Sequence, residues 1–243
     1  MIGIIGFGRF GKLAARYLAR DFDVLVFNPT DKSAEIKESG ALEASLRSVC
    51  QQKVIILCVP ISILKKVLVE IGPLLKQDRI VVDVCSVKVY PVQWMQALLP
   101  ESVSILATHP IFGPDSASDS LKGRKIFLSP IRIGQKPYQK IKSYLASKGL
   151  AILESTPADH DEQIAISLAL THFIGRTLSE FGATQLDIDS EGYKRLLHIL
   201  DVVQHDTWQL FYDMHQFNPY AKEKRDAFML AMQKINARLG ERE

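Results

Sequence analysis

The first eleven residues constrain the fold of this chain more than any other stretch. The apolar run Ile2–Ile5 leads directly into GFGRFG at positions 6–11, a GxGxxG pattern that opens an amphipathic helical segment. Such glycines allow a tight turn, close approach of a pyrophosphate and close helix–strand packing, with the helix N-terminus facing the phosphates. An ordinary glycine turn is the alternative interpretation, but the flanking strand and helix favour a dinucleotide site. Its predicted residues are Gly6, Gly8, Arg9, Phe10 and Gly11.

Residues 1–155 alternate between apolar runs of strand length and segments with helical periodicity. The run VIILCV at 54–59, closed by Pro60, is typical of a parallel strand buried on both faces. Repeated strand–helix units predict a Rossmann-type, doubly wound parallel sheet that forms a dinucleotide-binding domain. The other predicted strands are Ile2–Ile5, Val24–Phe27, 80–84, 103–107, 125–128 and 150–153.

The pattern changes near Thr156, and we expect an all-helical C-terminal domain over residues 156–243. Three long helical segments are predicted there, at 158–184, 190–216 and 220–239. Apolar residues wrap around much of the second segment, more than one packed face requires. A helical domain of this length is marginal as an isolated core, so we expect a homodimer through it.

Composition narrows the possible functions. A hydrophobic content of 47% supports a packed core. A net charge of +3 spread along the chain is only weak evidence for nucleic acid and fits anionic small ligands equally well. The three cysteines lack the spacing of a zinc site, so we expect no metal. The sequence shows no secretory leader and no apolar stretch of membrane-spanning length. We therefore expect a cytoplasmic protein with a small-molecule substrate and neither a nucleic-acid nor a membrane partner.

The end of the second strand bears on the choice of dinucleotide. An acidic residue at this point would hold the ribose 2′-hydroxyl of NAD, but the chain has Asn28. Hydroxyl groups and a cation suited to a 2′-phosphate follow at Thr30, Lys32 and Ser33. These residues predict NADP as the cofactor. NAD, held by Asp31, is the alternative.

Polar motifs also follow other predicted strands. DVCSVK at 83–88 ends one strand, and THPIFGPDS at 108–116 ends another. Open α/β sheets bind ligands beyond the carboxyl ends of their strands, so both motifs are candidates for the active site. For the same reason we assign Cys58, Val59 and Pro60 to the cofactor site.

These motifs resemble those of the prephenate/arogenate dehydrogenase family, which pairs an SVK strand end with an HPMFGP loop. Here SVK stands at 86–88 and HPIFGP at 109–114, and the later His160-Asp161 and Thr171-His172-Phe173 are also similar to the family pattern. The likeness covers nearly the whole chain and includes no chorismate mutase segment, which implies the single-function form. It implies oxidative decarboxylation of arogenate to tyrosine, or of prephenate to 4-hydroxyphenylpyruvate, with hydride transfer to the nicotinamide.

The resemblance also implies catalytic roles. In this reaction hydride leaves C4 of the substrate ring while a base accepts the hydroxyl proton, and loss of CO₂ then makes the ring aromatic. A neutral imidazole suits that base near pH 7 and contributes about 10²–10⁴ in rate. His109 stands at the family's base position, and Ser86 matches the serine that would orient the base and the substrate. Structural roles are the alternatives: a loop-capping His109 and a helix-capping Ser86.

Substrate contacts are predicted on the helix that begins near residue 158. At 100° per residue, His160, Ser167 and Thr171 share one face. His172 lies 120° from His160, but the family resemblance places both histidines near the substrate. The alternative is that both are core histidines with satisfied hydrogen bonds.

Two charged residues complete the predicted substrate site. Some family members hold the ring carboxylate with an arginine whose position here falls near Asp201, with no arginine beside it. Arg225, from this subunit or a partner, is the candidate replacement, and a solvated helix-face arginine is its alternative. Asp119, just past the HPIFGPDS loop, would attract the ammonium group of arogenate and repel prephenate, unless it faces water.

Two rival functions fit the same outline. One is another dehydrogenase with a Rossmann and a helical domain, of the β-hydroxyacid or pyrroline-carboxylate reductase type, and the HPIFGPDS loop argues against it. The other is a dinucleotide-sensing protein without catalysis. The presence of both His109 and Ser86 argues against that second function.

Overall fold

A computed structural model describes residues 1–241 of the chain. Its contacts divide the chain into two compact units, Met1–Pro157 and Ala158–Glu243. Within the described residues, no helix combines the length and the apolar character that crossing a membrane requires.

The first unit is built on one sheet of eight strands. The strands are β1 Ile2–Ile5, β2 Val24–Phe27, β3 Leu42–Glu43, β4 Val54–Leu57, β5 Ile80–Asp83, β6 Ser104–Pro110, β7 Lys125–Arg132 and β8 Ala151–Glu154. Their order across the sheet is β3-β2-β1-β4-β5-β6-β7-β8. The change of direction between β1 and β4 is the switch point of a doubly wound sheet, which confirms the predicted fold class.

Six α-helices connect these strands. They are α1 Arg9–Leu18, α2 Ser33–Glu38, α3 Leu46–Cys50, α4 Ile61–Ile71, α5 Val89–Leu98 and α6 Gln135–Ser147. Helix α1 begins directly after the glycine turn and packs on β1 and β2. Helices α4 and α5 pack against each other.

The sheet is mostly parallel, as predicted, but its last two strands run in the opposite direction to the others. Strand β7 runs antiparallel to β6, with His109 opposite Phe127, and β8 runs parallel to β7. The segment between β6 and β7 contains neither a helix nor a strand. A parallel neighbour requires a crossover connection, usually a helix, so without one the chain returns beside β6 in the opposite direction.

The expectation that β4 is buried on both faces was wrong. Ile55 and Leu57 are fully buried, whereas Val54 and Ile56, which point to the opposite face, remain partly exposed. On that second face a groove lies between α1 and α6, and both Val54 and Ile56 line it. The run of apolar residues predicted the strand but could not show that one of its faces lacks a covering helix.

The described part of the second unit consists of helices joined by loops. They are α7 Pro157–Ile164, a π-helical segment Ala165–Leu170, α8 Thr171–Phe181, α9 Glu191–Gln204, α10 Trp208–Gln216 and α11 Ala221–Gly240. Helix α8 packs closely on α9, because a Cβ atom at Gly175 would lie 2.5 Å from the Val203 side chain. The close approach requires a glycine at position 175.

Two of the predicted helices are interrupted. The segment predicted at 158–184 contains the π-helical turn and ends at Gly182, whose φ of +78° is left-handed. The segment predicted at 190–216 breaks before Thr207, whose hydroxyl accepts a hydrogen bond from Leu210 N at 3.2 Å and caps α10. Ser190 caps α9 in the same way. Apolar periodicity continues across both breaks, so it could not reveal them.

Candidate active site

The glycine turn leaves space where a dinucleotide would need it. A Cβ at Gly6, which has φ +96°, would lie 2.3 Å from Cys58 O, and a Cβ at Gly11 would lie 2.3 Å from Gly6 O. Gly8, the N-cap of α1, has no atom within 4 Å of its Cβ position. Packing therefore requires Gly6 and Gly11, whereas the space beside Gly8 can receive a pyrophosphate at the helix N-terminus.

A hydrogen bond to Asn28 links the end of β2 to the glycine turn. Its Oδ1 accepts a hydrogen bond from Phe7 N at 2.9 Å. Its Nδ2 donates to the carbonyl and hydroxyl oxygens of Thr30 at 2.9 and 2.8 Å. The residue predicted to contact the ribose thus also braces the loop around it.

Charges around this loop are balanced. Lys12 and Lys32 each lie 3.2 Å from Glu35, and their hydrogen bonds, that of Lys32 most, lower the pKa of its carboxyl. Ser33 donates hydrogen bonds to Asp31 from its hydroxyl at 2.5 Å and from its backbone N–H at 3.0 Å, which lowers the pKa of Asp31. The predicted cofactor residues Lys32 and Ser33 therefore both face carboxylates.

Two other predicted cofactor residues contact the loop after β6. Arg9 forms an ion pair with Asp115, in which its Nη2 donates to both carboxylate oxygens, at 2.7 and 2.6 Å. The Phe10 ring lies 6.3 Å from the Phe112 ring. The start of α1 is therefore joined to the HPIFGPDS loop, which the sequence alone did not reveal.

A buried ion pair holds the ends of β5 and β6 together. Lys88 and Asp83 are fully buried, and the Lys88 ammonium donates hydrogen bonds to the Asp83 carboxylate and to Thr108 O. The Thr108 hydroxyl donates to Asp83 O at 2.6 Å, and Cys85 N donates to Asp83 Oδ2 at 3.0 Å. Buried charges are tolerated when they are paired and hydrogen-bonded in this way. Sequence reasoning missed both charged residues, although an acid and a base five positions apart within DVCSVK were a usable signal.

The predicted catalytic residues lie on either side of this network. His109 is buried in β6, and Ser86 follows the end of β5, the parallel neighbour of β6. The Ser86 hydroxyl is buried and has no hydrogen-bond partner within residues 1–241. Helix α5 begins at Val89 with Lys88 as its N-cap, so Ser86 is not a helix cap. A buried hydroxyl without a partner is available to a ligand.

In the helical unit, His160 is fixed by a carboxylate. Its Nδ1 lies 2.8 Å from Asp161 Oδ1, and both side chains are buried. The Asp161 carbonyl accepts a hydrogen bond from the buried Asn218 amide at 2.8 Å. This links the first helix of the unit to the turn before α11.

The common face predicted for His160, Ser167 and Thr171 is not formed, because the π-helical segment changes the rotation per residue. His160 is buried, whereas Ser167 is exposed and Thr171 is half-buried. Both hydroxyls donate to the backbone carbonyl four residues earlier, Ser167 at 2.9 Å and Thr171 at 3.2 Å.

His172 is a buried neutral imidazole. Burial, followed by the positive charge of Arg176, lowers its pKa to about 4. Its Nε2 lies 3.7 Å from Asp206 Oδ2, and its Nδ1 has no hydrogen-bond partner in the described part of the chain. Arg176 stacks over the Trp208 ring at 4.4 Å and donates a hydrogen bond to Asp206 O.

Arg225 lies at a cavity of about 730 Å³ within the helical unit. Its guanidinium donates to His215 Nδ1 at 3.2 Å, and among residues 1–241 no carboxylate lies within 4 Å of it. Burial and then the Arg225 charge lower the pKa of His215 to about 4. The His215 ring lies 4.6 Å from Phe211 and 6.3 Å from Phe173. This cavity thus combines a half-buried cation with aromatic walls.

Comparison with known proteins matches both parts of the chain. A family profile described as "Prephenate dehydrogenase, nucleotide-binding domain" covers residues 25–154, and one described as "TYRAAT1-like, C-terminal domain" covers residues 177–243. The chain belongs to the prephenate and arogenate dehydrogenase family. The resemblance carried by the SVK and HPIFGP motifs is therefore confirmed.

Relatives within this family include two proteins of Arabidopsis thaliana. "Arogenate dehydrogenase 1, chloroplastic" is 32% identical over 98% of this chain and 39% of its own length. "Arogenate dehydrogenase 2, chloroplastic" is 30% identical over 98% of this chain and 69% of its own length. The chain thus spans well under half of the first relative and about two thirds of the second.

A solved member of the family shares the fold. The prephenate dehydrogenase from A. aeolicus, in complex with hydroxyphenyl propionate and NAD⁺, superimposes with a TM-score of 0.77 at 18% sequence identity. The match covers 99% of this chain and 91% of that chain. The strand ends that carry Ser86 and His109 therefore belong to an established family fold.

Proposed function

We propose that this chain oxidatively decarboxylates arogenate to tyrosine with hydride transfer to NADP, and that prephenate is the alternative substrate. The observation that carries the proposal is that buried His109 and the Ser86 hydroxyl, which has no hydrogen-bond partner among residues 1–241, lie at the ends of adjacent strands. Family membership and the open glycine turn support it.

His109 is the proposed base. It accepts the proton of the C4 hydroxyl while the C4–H bond breaks, and Ser86 donates or accepts the hydrogen bond that orients that hydroxyl. The nicotinamide, when bound, supplies the hydride acceptor. Cleavage of the bond to the carboxylate then releases CO₂, and its electron pair completes the aromatic ring. The Lys88–Asp83–Thr108 network keeps the two strand ends in register.

Substrate binding is assigned to the helical unit. His160, held by Asp161, and the neutral His172 are proposed hydrogen-bonding groups, with Ser167 and Thr171 as further contacts. Arg225 has no carboxylate within ion-pair distance among the described residues and lies at an aromatic-walled cavity, which suits a ring that carries a carboxylate.

The preference for arogenate rests on Asp119, which is exposed on the loop between β6 and β7. A carboxylate near the substrate side chain attracts an ammonium group and repels a second anion. The ratio of kcat/KM for arogenate and prephenate should fall in Asp119→Asn. A ratio that does not change would remove this argument.

NADP is the proposed cofactor because Asn28 places an amide, not a carboxylate, at the end of β2. Asn28→Asp retains the acceptor that Phe7 N needs and adds a negative charge. Specificity should therefore shift toward NAD, because the new charge repels a 2′-phosphate. A wild-type chain that already uses NAD better than NADP would contradict the proposal.

The pair Gly8→Ala and Gly11→Ala tests the cofactor site. Alanine at position 8 meets open space and should leave folding intact while it weakens cofactor binding. Alanine at position 11 clashes with Gly6 O and should destabilise the fold itself. Normal cofactor affinity in a folded Gly8→Ala variant would mean that the pyrophosphate lies elsewhere.

A homodimer through the helical unit is also proposed. On α9, Val203 is buried, whereas Leu196 and Val202 are 41% and 52% exposed. Phe181 is 79% exposed at the end of α8. These apolar groups would be covered by a second copy, and sedimentation of a monomer at micromolar concentration would contradict this.

The cytoplasm is the proposed location, to be checked by imaging a tagged chain.

The direct assay of the function is absorbance at 340 nm with arogenate or prephenate, each with NAD or NADP. Reduction with arogenate and NADP should be fastest. Turnover of a β-hydroxyacid in place of both substrates would favour the rival dehydrogenase class. Cofactor binding without turnover of any of these substrates would favour a dinucleotide-sensing protein.

A further inference from the structure

One face of β4 lies under an open groove, whereas both faces of a central strand in a doubly wound sheet are usually covered by helices. Central strands of such sheets are buried on both faces, yet Val54 and Ile56 of β4 reach solvent while Ile55 and Leu57 do not. Leaving aliphatic surface in water costs about 25 cal/mol per Å². An apolar ligand at this place would recover that cost.

This β4 groove, the space between α1 and α6, has a volume of about 600 Å³. Its floor consists of sheet residues, among them Ile2, Ile56 and Val82, and Ile141 of α6 forms part of a wall. A pocket of this size accommodates a small organic molecule. Its chemistry favours a ligand with an apolar body.

Side-chain contacts join the two walls of the groove. Asp21, after α1, accepts a hydrogen bond from the Tyr144 hydroxyl at 2.8 Å and forms an ion pair with Lys148 at 2.7 Å, both on or beside α6. The Phe22 ring packs edge-on against the Tyr144 ring at 5.0 Å. These contacts hold α1 and α6 apart at a fixed spacing, so the groove is a built feature of the fold.

The charges along the groove favour an anion. Arg20, Lys53 and Lys140 line it, and none of them has an ion-pair partner among residues 1–241. The carboxylate of Asp21 is already used by Lys148 and Tyr144. Asp119, to which the proposed function assigns the preference for arogenate, also lines the groove, on the loop that follows β6. Cations therefore exceed free carboxylates around an otherwise apolar space.

We propose that the β4 groove is a second ligand site, which binds a small amphipathic anion: an aromatic or aliphatic body with one carboxylate or sulfonate. The body lies over Val54, Ile56 and Val82, and the anionic group meets Arg20, Lys53 or Lys140. The floor starts at Ile2 and Val54, the first residues of their strands. The glycine turn follows the other end of β1, about 13 Å away along the strand, although the groove also extends to Phe10, Thr108 and Phe112 near the carboxyl ends of the strands.

The site can be tested with 8-anilinonaphthalene-1-sulfonate, an aromatic anion that fluoresces in apolar surroundings, added to the full chain. One equivalent should bind, decanoate should displace it, and saturating NADP should not. Displacement by NADP would place the probe in the cofactor crevice and overturn the proposal. Binding of several equivalents with no saturation would indicate nonspecific adsorption and would also overturn it.

Variants locate the probe. Ile141→Glu places a negative charge at a half-exposed position on the groove wall, outside the buried core. Because this charge repels an anion, the affinity for the probe should fall about tenfold or more. Ile56→Trp fills the groove and should abolish binding if the variant folds. The control is Val69→Trp, because Val69 is 58% exposed on α4 and does not line the groove. Equal affinities in Ile141→Glu and the control would overturn the proposal.

The charge requirement has its own test. Replacing Arg20, Lys53 and Lys140 together by Gln should weaken the probe about tenfold, whereas replacing the exposed Lys65 and Lys66 by Gln should not. An equal effect of both sets would remove the anion from the proposal. Failure of the probe to bind at any concentration would also overturn the proposal, and association of the chain in sedimentation at those concentrations would identify a second copy as the cover of the groove.

Discussion

The two units bury ionisable groups in opposite ways. In the first unit Lys88 and Asp83 are fully buried as a hydrogen-bonded ion pair. In the helical unit His172 and His215 are kept neutral, with the pKa of each lowered to about 4 by burial and nearby arginine charge. The first unit retains buried charge by pairing it, and the helical unit removes charge from these two imidazoles.

This difference indicates that the two units have different roles in the site. A buried ion pair with further hydrogen bonds fixes geometry, so the strand ends around Ser86 and His109 are positioned rigidly. Neutral imidazoles accept or donate hydrogen bonds without repelling the arginines beside them. The first unit should therefore be sensitive to loss of a charge partner, and the helical unit should be sensitive to pH.

The largest effect is expected from breaking the ion pair. Lys88→Met leaves the Asp83 carboxylate buried without its partner, and the free energy of unfolding should fall by about 3–5 kcal/mol. Urea denaturation measures this change. Lys66→Met, at an exposed position on α4, is the control and should change stability little. Equal stability of the two variants would remove the structural role of the pair.

The second effect is a loss of stability in acid. Because the pKa of folded His172 is about 4 and the unfolded value is 6.5, the unfolded chain takes up a proton between these values that the folded chain does not. The stability due to the neutral ring is present above pH 6.5 and is lost as the pH falls toward 4, by about 3 kcal/mol at most. Denaturation across this range should show a shallower pH dependence in His172→Gln. A variant with the exposed His198→Gln is the control, and an unchanged slope in His172→Gln would contradict the account.

The third effect concerns the cation at the aromatic cavity. Arg225→Gln should raise KM by about 10- to 100-fold with a smaller change in kcat, because a charge-assisted hydrogen bond to a carboxylate contributes about 1.5–3 kcal/mol. Lys222→Gln is the control, because Lys222 also borders the cavity but already forms an ion pair with Asp226 at 2.6 Å. That control should change KM little, and an equal change in both variants would argue against a specific carboxylate site.

The smallest effect is expected from a single hydroxyl. Ser86→Ala should lower kcat about tenfold, equivalent to about 1.4 kcal/mol, while the melting temperature stays nearly constant. The reason is that Ser86 Oγ has no partner among residues 1–241 whose hydrogen bond would be lost. A large fall in melting temperature would show instead that the hydroxyl has a structural role.

Local sequence signals predicted much of the first unit. Short apolar runs followed by glycine or polar residues located the strands and placed Gly6, Ser86 and His109 at their ends, because this pattern is set within a few residues. The antiparallel β7 and the half-covered β4 depend on what packs across the sheet. Neither can be read from residues that are adjacent in the chain.

The helical unit was predicted less well for a physical reason. A π-helical turn at Ala165–Leu170 and a capped break at Thr207 leave the apolar pattern intact, so periodicity predicted longer helices and a face that is not formed.

In the first unit, the burial of Lys88 was also missed, because lysine is ordinarily exposed and its partner Asp83 lies on the preceding strand.

The central claim is that His109 removes the hydroxyl proton, and the most direct measurement is single-turnover hydride transfer in His109→Asn with arogenate and NADP. The rate near pH 7 should fall by about 10²–10⁴, and the limb of the pH–rate profile due to the base should disappear. The affinity for NADP should stay within about twofold, since the substitution leaves the glycine turn unchanged. Near-normal hydride transfer at neutral pH, or a fall explained entirely by lost cofactor binding, would contradict the account.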